Sequence, residues 1–365
     1  MSRLQALLDE GVAQGAFPMA RAVVLLRGEK VFDGGAGGAG VDTVFDLASL
    51  TKVMATTAVF LSLWAQGRLT PETPGTPTSA TLADFLFHRS GLPAFRPFFA
   101  PVMERFPRLF EDTCPPTVRE EARREVVRQA WATAPELPPG AAAVYSDVGF
   151  ILLGDVLERT ASCALDELFA QRVAGPLELS ARFRRLSTQP ALPTSLAPSG
   201  TTRPREPAPG QEGLWDIEAR PSHPGEVDDD NAWAMDGVAG HAGLFGTAAD
   251  VARFGQAVLA DTSIAPRAKW EALFRRDPTT PGSTRAMGFD TPSDEGSSAG
   301  HRLGRRAPGA VGHLGFTGTS LWVDRARELV VALLTNRTAL GRHRLLIREF
   351  RPRFHDAVFD EFSLD

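Results

Sequence analysis

Apolar residues recur every three or four positions from Leu4 to Val12, the spacing of a helix with one buried face. The pattern then changes. Ala20 to Leu26 is a short, almost continuous apolar run, Arg27-Gly28-Glu29 is a turn, and Lys30 to Asp33 begins a returning strand, which together predict a hairpin. Gly34 to Gly40 is a Gly/Ala run. It lacks the Gly-Lys-Ser/Thr that a phosphate-cradling loop needs, so it reads as a flexible turn. Leu50 to Gly67 predicts a long apolar helix stopped by Gly67, and Ala80 to Phe87 a shorter one, followed by a Pro- and Gly-punctuated loop through Pro101. Further helices are expected over Val118 to Thr133, Gly149 to Arg159, Leu165 to Val173 and Ala248 to Ala260, the last with Thr247 or Asp250 near its start. Pro190 to Asp230 is rich in Pro, Gly and charge and reads as a long surface excursion, either a lid or a substrate-site wall. Two strands close the pattern, Gly315 to Val323 and Glu328 to Thr335, around the charged turn Asp324-Arg325-Ala326-Arg327. Leu345 to Phe362 then reads as mainly helical, interrupted near Pro352.

Strands at both ends with helices between predict an α/β (α+β) fold: one antiparallel sheet built from N- and C-terminal strands, flanked by helices, beside a mostly helical lobe. The expected organisation is a single catalytic domain over 1–365, with the sheet lobe roughly 1–60 and 245–365 and the helical lobe roughly 61–244. Composition agrees, since 365 residues with 43% hydrophobic and 23% charged suffice for a large core. A net charge of -5 gives no reason to expect nucleic acid or an anionic membrane as partner. The N-terminal segment has no apolar core or cleavage site, and Val53 to Ala65 is too short to span a bilayer, so a soluble, cytoplasmic protein is expected. Cys114 and Cys163 lie in no CxxC or Cys/His pattern, so no metal or cofactor is expected; the two read as buried thiols, with a disulfide between them as the alternative. Oligomeric state is not legible at this level.

The chemistry lies in rare residues. Lysine occurs only at Lys30, Lys52 and Lys269, and Tyr145 is the sole tyrosine. Lys52 follows Ser49 by three positions at the start of a predicted helix, so Ser49 Oγ and Lys52 Nζ share a face. A serine hydroxyl needs a neighbouring base to become a nucleophile. Lysine serves as that base only if burial or a nearby cation lowers its pKa. At a helix N-terminus the Ser49 N–H has no intrahelical partner and is free to stabilise an oxyanion. Tyr145, in Tyr145-Ser146-Asp147, can relay a proton between Ser49 and Lys52.

Ser49-Leu50-Thr51-Lys52, Tyr145-Ser146-Asp147 and His313-Leu314-Gly315 together resemble, in order and spacing, the three motifs of the serine β-lactamase and penicillin-binding protein superfamily. The likeness is to the class C β-lactamase-like branch, which includes esterases and D-amino-acid peptidases. His88-Arg89-Ser90-Gly91-Leu92-Pro93, Tyr145 to Gly154, Ala239 to Phe245 and Gly312 to Asp324 look like family segments as well, and the resemblance spans roughly residues 5 to 360. It implies that Ser49 attacks a carbonyl, that Lys52 and Tyr145 handle its proton, and that the N–H groups of Ser49 and Phe316 form the oxyanion hole. Asp147, His313 and Gly315 would line the substrate site.

Two positions depart from the family pattern. Asp147 stands where the family has Asn, and a carboxylate there would either repel an anionic substrate or pair with Lys52 and hold it charged. His313 stands where the family has Lys, which weakens fixed positive charge. Both shift the expectation towards hydrolysis of a small ester or amide. The alternatives are β-lactamase or penicillin-binding D,D-peptidase-like activity, acyl transfer to a small-molecule acceptor, and a sensor that acylates without turnover. His241, between glycines, is either a site wall or a structural turn residue. His88 reads as structural and Asp250 as a helix-start residue. Gly296-Ser297-Ser298-Ala299-Gly300 matches a nucleophile elbow, but no apolar strand precedes it and no helix follows, so Ser298 is expected in a loop.

Overall fold

The computed structural model describes residues 2–75, 79–111, 113–188 and 190–364. The two ends of the chain meet in one sheet. β1 (Ala20–Leu26) and β2 (Glu29–Ala36) come from the N-terminal part; β3 (Ala310–Leu314), β4 (Ser320–Asp324) and β5 (Leu329–Thr335) come from the C-terminal part. All pairings are antiparallel, in the order β2-β1-β5-β4-β3, with Ala20 opposite Thr335 and Leu26 opposite Leu329. β5 is apolar from Leu329 to Leu334 because both of its faces are covered. Val330, Ala332 and Leu334 pack with the face of α5 (Ala248–Ala260) that carries Val251, Phe254 and Val258. Leu329, Val331 and Leu333 pack on the other side with α1 (Arg3–Ala13) and α6 (Ile347–Glu361). Gly255 lets α5 lie close to the sheet, since a Cβ there would stand 2.4 Å from Val330 Cγ1. This is the α/β arrangement expected from the terminal strands.

Helices of the middle of the chain surround α2 (Ala58–Ala65), whose residues from Ala58 to Leu63 are buried. Among them is α4 (Asp147–Ala161), which in turn packs on α3 (Pro116–Trp131). Among the described residues no helix is long and apolar enough to cross a membrane.

Several sequence readings need correction. The strand expected over Gly315 to Val323 begins only at Ser320, as β4, and Gly315 to Thr319 is instead a turn between β3 and β4. Gly315 N–H donates to Thr319 O (2.7 Å), Gly318 N–H donates to Gly315 O (3.0 Å), and Gly318 has φ +105, so the chain reverses there. Gly34 to Ala36 belong to β2 rather than to a flexible turn, opposite Ala22 to Ala20. A short helix, Phe99–Arg105, interrupts the loop after Phe87. Pro352 does not interrupt α6: it forfeits one backbone bond, while Phe350, Phe354 and Val358 stay buried on the same face. Cys114 is buried, but Cys163 is only partly so, and both are free thiols. The 190–230 excursion is not all surface. Arg203 is fully buried and bonds Asp230 Oδ1 at 2.6 Å, and Arg342 reaches Asp228 Oδ2 at 3.1 Å, fastening the excursion to the segment after β5.

Candidate active site

Ser49 is placed by a short strand and a sharp turn. Phe45–Asp46 pairs with Gly246 and Phe245 of the strand Leu244–Gly246. Asp46 Oδ1 then accepts the Ala48 N–H (2.8 Å) and its Oδ2 accepts the Asp228 N–H (2.6 Å). Burial pushes the Asp46 carboxyl up to about 7. Ala48 adopts φ +48, turning the chain into a helix whose first part, Lys52–Thr57, is a widened π-helical segment continuing into α2. Such segments recur at functional sites. The apolar pattern alone does not distinguish it from α-helix.

The π segment buries Lys52 completely and aims its Nζ at three acceptors: Ser49 Oγ (2.9 Å), Asp147 Oδ1 (2.6 Å) and the His241 carbonyl (3.2 Å). An ammonium has three donors, and these acceptors share them with the neighbouring Tyr145 hydroxyl. Burial alone would lower the lysine pKa, but the Asp147 carboxylate and then Tyr145 outweigh it, and the net direction is upward. Of the two consequences expected for Asp147, pairing with Lys52 is the one seen. The Tyr145 hydroxyl interacts with both Lys52 and Ser49. Burial first, and the Asp147 charge after it, push the phenol up, against a downward pull from Lys52.

Tyr145 and Asp147 stand at the start of α4, capped by Ser146. Its Oγ accepts the Gly149 N–H (3.1 Å) and donates to the Pro93 carbonyl (2.7 Å), and its N–H donates to His88 Nδ1 (3.0 Å). The His88 ring lies 4.6 Å from that of Tyr145, so the His88–Pro93 segment braces the tyrosine from behind. Burial, reinforced by the charges of Arg285 and Lys52, holds His88 well below the ordinary histidine range.

β3 forms the opposite wall. His313 Nδ1 donates to Leu314 O (2.8 Å), and its ring is 5.8 Å from Tyr145. Burial, then the charges of Lys52 and Arg285, keep it neutral, well below the usual histidine pKa. Its Nε2 has no partner among the described residues. The turn after β3 is stitched to the residues before Ser49: Thr317 Oγ1 donates to Asp46 O (2.8 Å) and Thr319 Oγ1 to Leu47 O (3.0 Å). Gly315 permits this approach, since a Cβ there would meet Thr319 Oγ1 at 1.9 Å and Leu47 O at 2.7 Å. The backbone N–H groups of Ser49 and Phe316 have no acceptor among the described residues, and both residues line a cavity of about 560 Å³.

His241 lies on the cavity wall, with its Nε2 donating to Asp229 Oδ1 (2.8 Å). Burial opposes ionisation of Asp229, but His241 and the Ala232 N–H outweigh it, and the carboxyl is strongly lowered. Ala208, Pro209 and Gln211 bring the 190–230 excursion to the cavity, as a wall. Ser298 is also on the wall, in a loop, where its carbonyl accepts from His355 Nδ1 (2.9 Å). Sequence reasoning did not single out Arg285, Asp229, Arg337 or Arg351, which all reach this cavity. Arg285 pairs with Asp290 and lies over the Tyr145 ring at 5.2 Å. Only contacts across the fold bring these residues in, and no local motif marks them. Among the described residues no cluster of His, Cys, Asp or Glu is arranged to hold a metal ion.

A family model described as Beta-lactamase matches residues 4–350. The chain belongs to the beta-lactamase family. It is 30% identical over 317 residues to the N-acetylmuramyl-L-alanine amidase of Bacillus subtilis (strain 168), over 81% of this chain and 68% of that relative. Among solved structures, it is similar to a penicillin-binding protein homolog from Caulobacter crescentus, with a TM-score of 0.67, 17% identity and 98% and 96% of the two chains covered. It is equally similar to EstCE1, a hydrolase with promiscuous acyltransferase activity, with a TM-score of 0.67, 20% identity and coverage of 96% and 97%. These two likenesses speak to fold alone. Family membership and the amidase relative make this protein a serine hydrolase of the beta-lactamase-like family.

Proposed function

We propose that this protein hydrolyses a small ester or amide through an acyl-enzyme on Ser49. The observation that carries the reading is the hydrogen bonding of Lys52 to Ser49 Oγ, Asp147 and the His241 carbonyl. Ser49 Oγ accepts from the ammonium, so its own hydrogen is left for the neighbouring Tyr145 oxygen. Lys52 stays charged and stabilises the ionised phenol, and Tyr145 is the base.

Tyr145 takes the Ser49 proton as Oγ bonds to the substrate carbonyl carbon. The carbonyl oxygen becomes an oxyanion held by the Ser49 and Phe316 N–H groups. Collapse breaks the bond to the leaving alcohol or amine, which receives the proton from Tyr145. Water then attacks the acyl ester with Tyr145 again as base, and the returning proton restores the Ser49 hydroxyl. Neutral His313 lines this path without adding charge. The amidase relative favours an amide among the natural substrates.

The test is intact-protein mass after brief incubation with a short-chain p-nitrophenyl ester or a β-lactam, for the natural protein and Ser49→Ala. Ser49-dependent ester turnover without lactam loss is expected. A Ser49-dependent lactam adduct would move the assignment to penicillin recognition, a persistent adduct without turnover to a sensor, and transfer to an added alcohol to an acyltransferase. Ester turnover unchanged in Ser49→Ala would refute the reading.

A further inference from the structure

Arg351 is buried within α6, and among the described residues no carboxylate faces it. The charges that bear on it are those of Arg337 and Arg348, and burial together with that repulsion lowers its pKa to about 9. Placing a cation there costs stability unless its donors are met. One terminal nitrogen is met by backbone, donating to Gly315 O (2.7 Å) and to Thr319 O (2.8 Å), while Nε has no partner among the described residues. Arg337, also buried, donates from Nε to the next carbonyl, Phe316 O (2.8 Å), and lies 4.5 Å over the Phe316 ring.

The Gly315 carbonyl belongs to the same peptide unit as the Phe316 N–H. That bond is trans, so the carbonyl and the N–H point in opposite directions. A guanidinium fixed on the oxygen therefore aims the N–H the other way. It also draws electron density towards the oxygen, which makes the N–H a stronger donor, as hydrogen bonds in series polarise one another. Gly318 N–H donates to the same oxygen (3.0 Å), so the peptide is held from one side by two donors while its N–H has no acceptor among the described residues.

We infer that Arg351 is a positioning residue of the oxyanion hole, orienting and polarising the Gly315–Phe316 peptide so that the Phe316 N–H stabilises the oxyanion. The inference rests on the reading that Ser49 is acylated and that Phe316 N–H faces the oxyanion. Negative charge developing on the substrate oxygen would then offset, through one peptide, a cation that has no counter-ion in the resting site.

The experiment measures pre-steady-state acylation by a neutral p-nitrophenyl ester in the natural protein, Ser49→Ala, Arg351→Met, Arg351→Gln and Arg351→Lys. The carbonyl stretch of the ¹³C-labelled acyl-enzyme is read in parallel by difference infrared. Arg351→Met should lower the acylation rate about tenfold or more, a part of the loss typical for deleting an oxyanion donor, with KM little changed and the stretch at higher frequency. Arg351→Lys should recover more of both than Arg351→Gln, because it keeps the charge. Full recovery by Arg351→Gln would overturn the proposal in favour of simple bracing of the turn. An unchanged rate and stretch in Arg351→Met, or a loss confined to KM, would overturn it as well. If Arg351→Met fails to fold, the Lys and Gln variants decide alone. A burst that persists in Ser49→Ala would instead refute the underlying acyl-enzyme reading.

Discussion

Lys52 Nζ stands 2.6 Å from Asp147 Oδ1, closer than to Ser49 Oγ at 2.9 Å, so the lysine of the Ser-x-x-Lys pair is held by a carboxylate on the first turn of α4. In the proposed mechanism this pair sets the protonation of the site. A lysine whose pKa is raised donates to the nucleophile and does not deprotonate it, which leaves the tyrosine as base. The same carboxylate also pushes the Tyr145 phenol up, after burial. With Tyr145 as the proposed base, Asp147 would confine its action to the alkaline side.

Asp147→Asn should therefore move the rising limb of the kcat/KM against pH profile to lower pH. The sign follows from charge: removing an anion near Tyr145 removes one upward push on the phenol, so ionisation comes earlier on raising the pH. A shift of about one unit is the scale of one nearby charge, and activity at pH 7 should rise accordingly. A limb that stays in place, or moves up, would refute Tyr145 as the base.

Tyr145→Phe keeps the ring between His88 and His313 and removes only the hydroxyl. Acylation should fall by about two to four orders of magnitude, the usual share of a general base. Ser49→Ala should leave no ester-dependent mass adduct at all. The check is single-turnover kinetics beside a thermal melt. If Tyr145→Phe acylates within a few-fold of the natural rate, proton handling belongs elsewhere.

Most strands of the sheet and the outline of the proposed site were legible because their signals in the sequence are local. β1 and β5 announce themselves by almost continuous apolar runs, and Ser49, Lys52, Tyr145 and His313 by their motifs. The π segment was not legible, because widening a helix leaves the pattern of a segment buried on every side looking the same. The Gly315–Thr319 reversal was hidden because its cause lies far away in the chain, in the carbonyls of Asp46 and Leu47 that Thr317 and Thr319 reach. Arg337 and Arg351 escaped notice for a related reason: in an Arg-rich chain, a functional arginine is told from a surface one only by burial and by what it touches.

Gly315→Ala tests the close approach of the two loops. The added methyl would stand 1.9 Å from Thr319 Oγ1 and 2.7 Å from the Leu47 carbonyl, and a backbone oxygen cannot swing away. The turn must shift, at a cost of roughly 1–3 kcal/mol for overpacking, and with it the Phe316 N–H. A lowered Tm together with a large loss of kcat is expected. Natural kcat with a lowered Tm would separate the turn from the chemistry.

His355 bears on acid stability. Fully buried on α6, it donates from Nδ1 to the Ser298 carbonyl (2.9 Å), and burial lowers its pKa to about 4. A base whose folded pKa is depressed contributes stability that is present above its unfolded pKa and is lost as pH falls towards the folded value. From about pH 6.5 down to about pH 4 the unfolded chain takes up a proton that the folded chain refuses, a loss on the order of 3 kcal/mol. Asp46 acts with the opposite sign: its carboxyl, pushed up to about 7 by burial, favours the folded state as pH falls over much the same window. The shape of one melting curve series is therefore not diagnostic, and the comparison must be between variants. His355→Gln keeps a donor for the Ser298 carbonyl and cannot titrate. Its Tm should be below the natural protein's at pH 7.5, and the gap should narrow or invert by pH 4.5. A gap constant across that range would mean that His355 does not carry the acid sensitivity assigned to it.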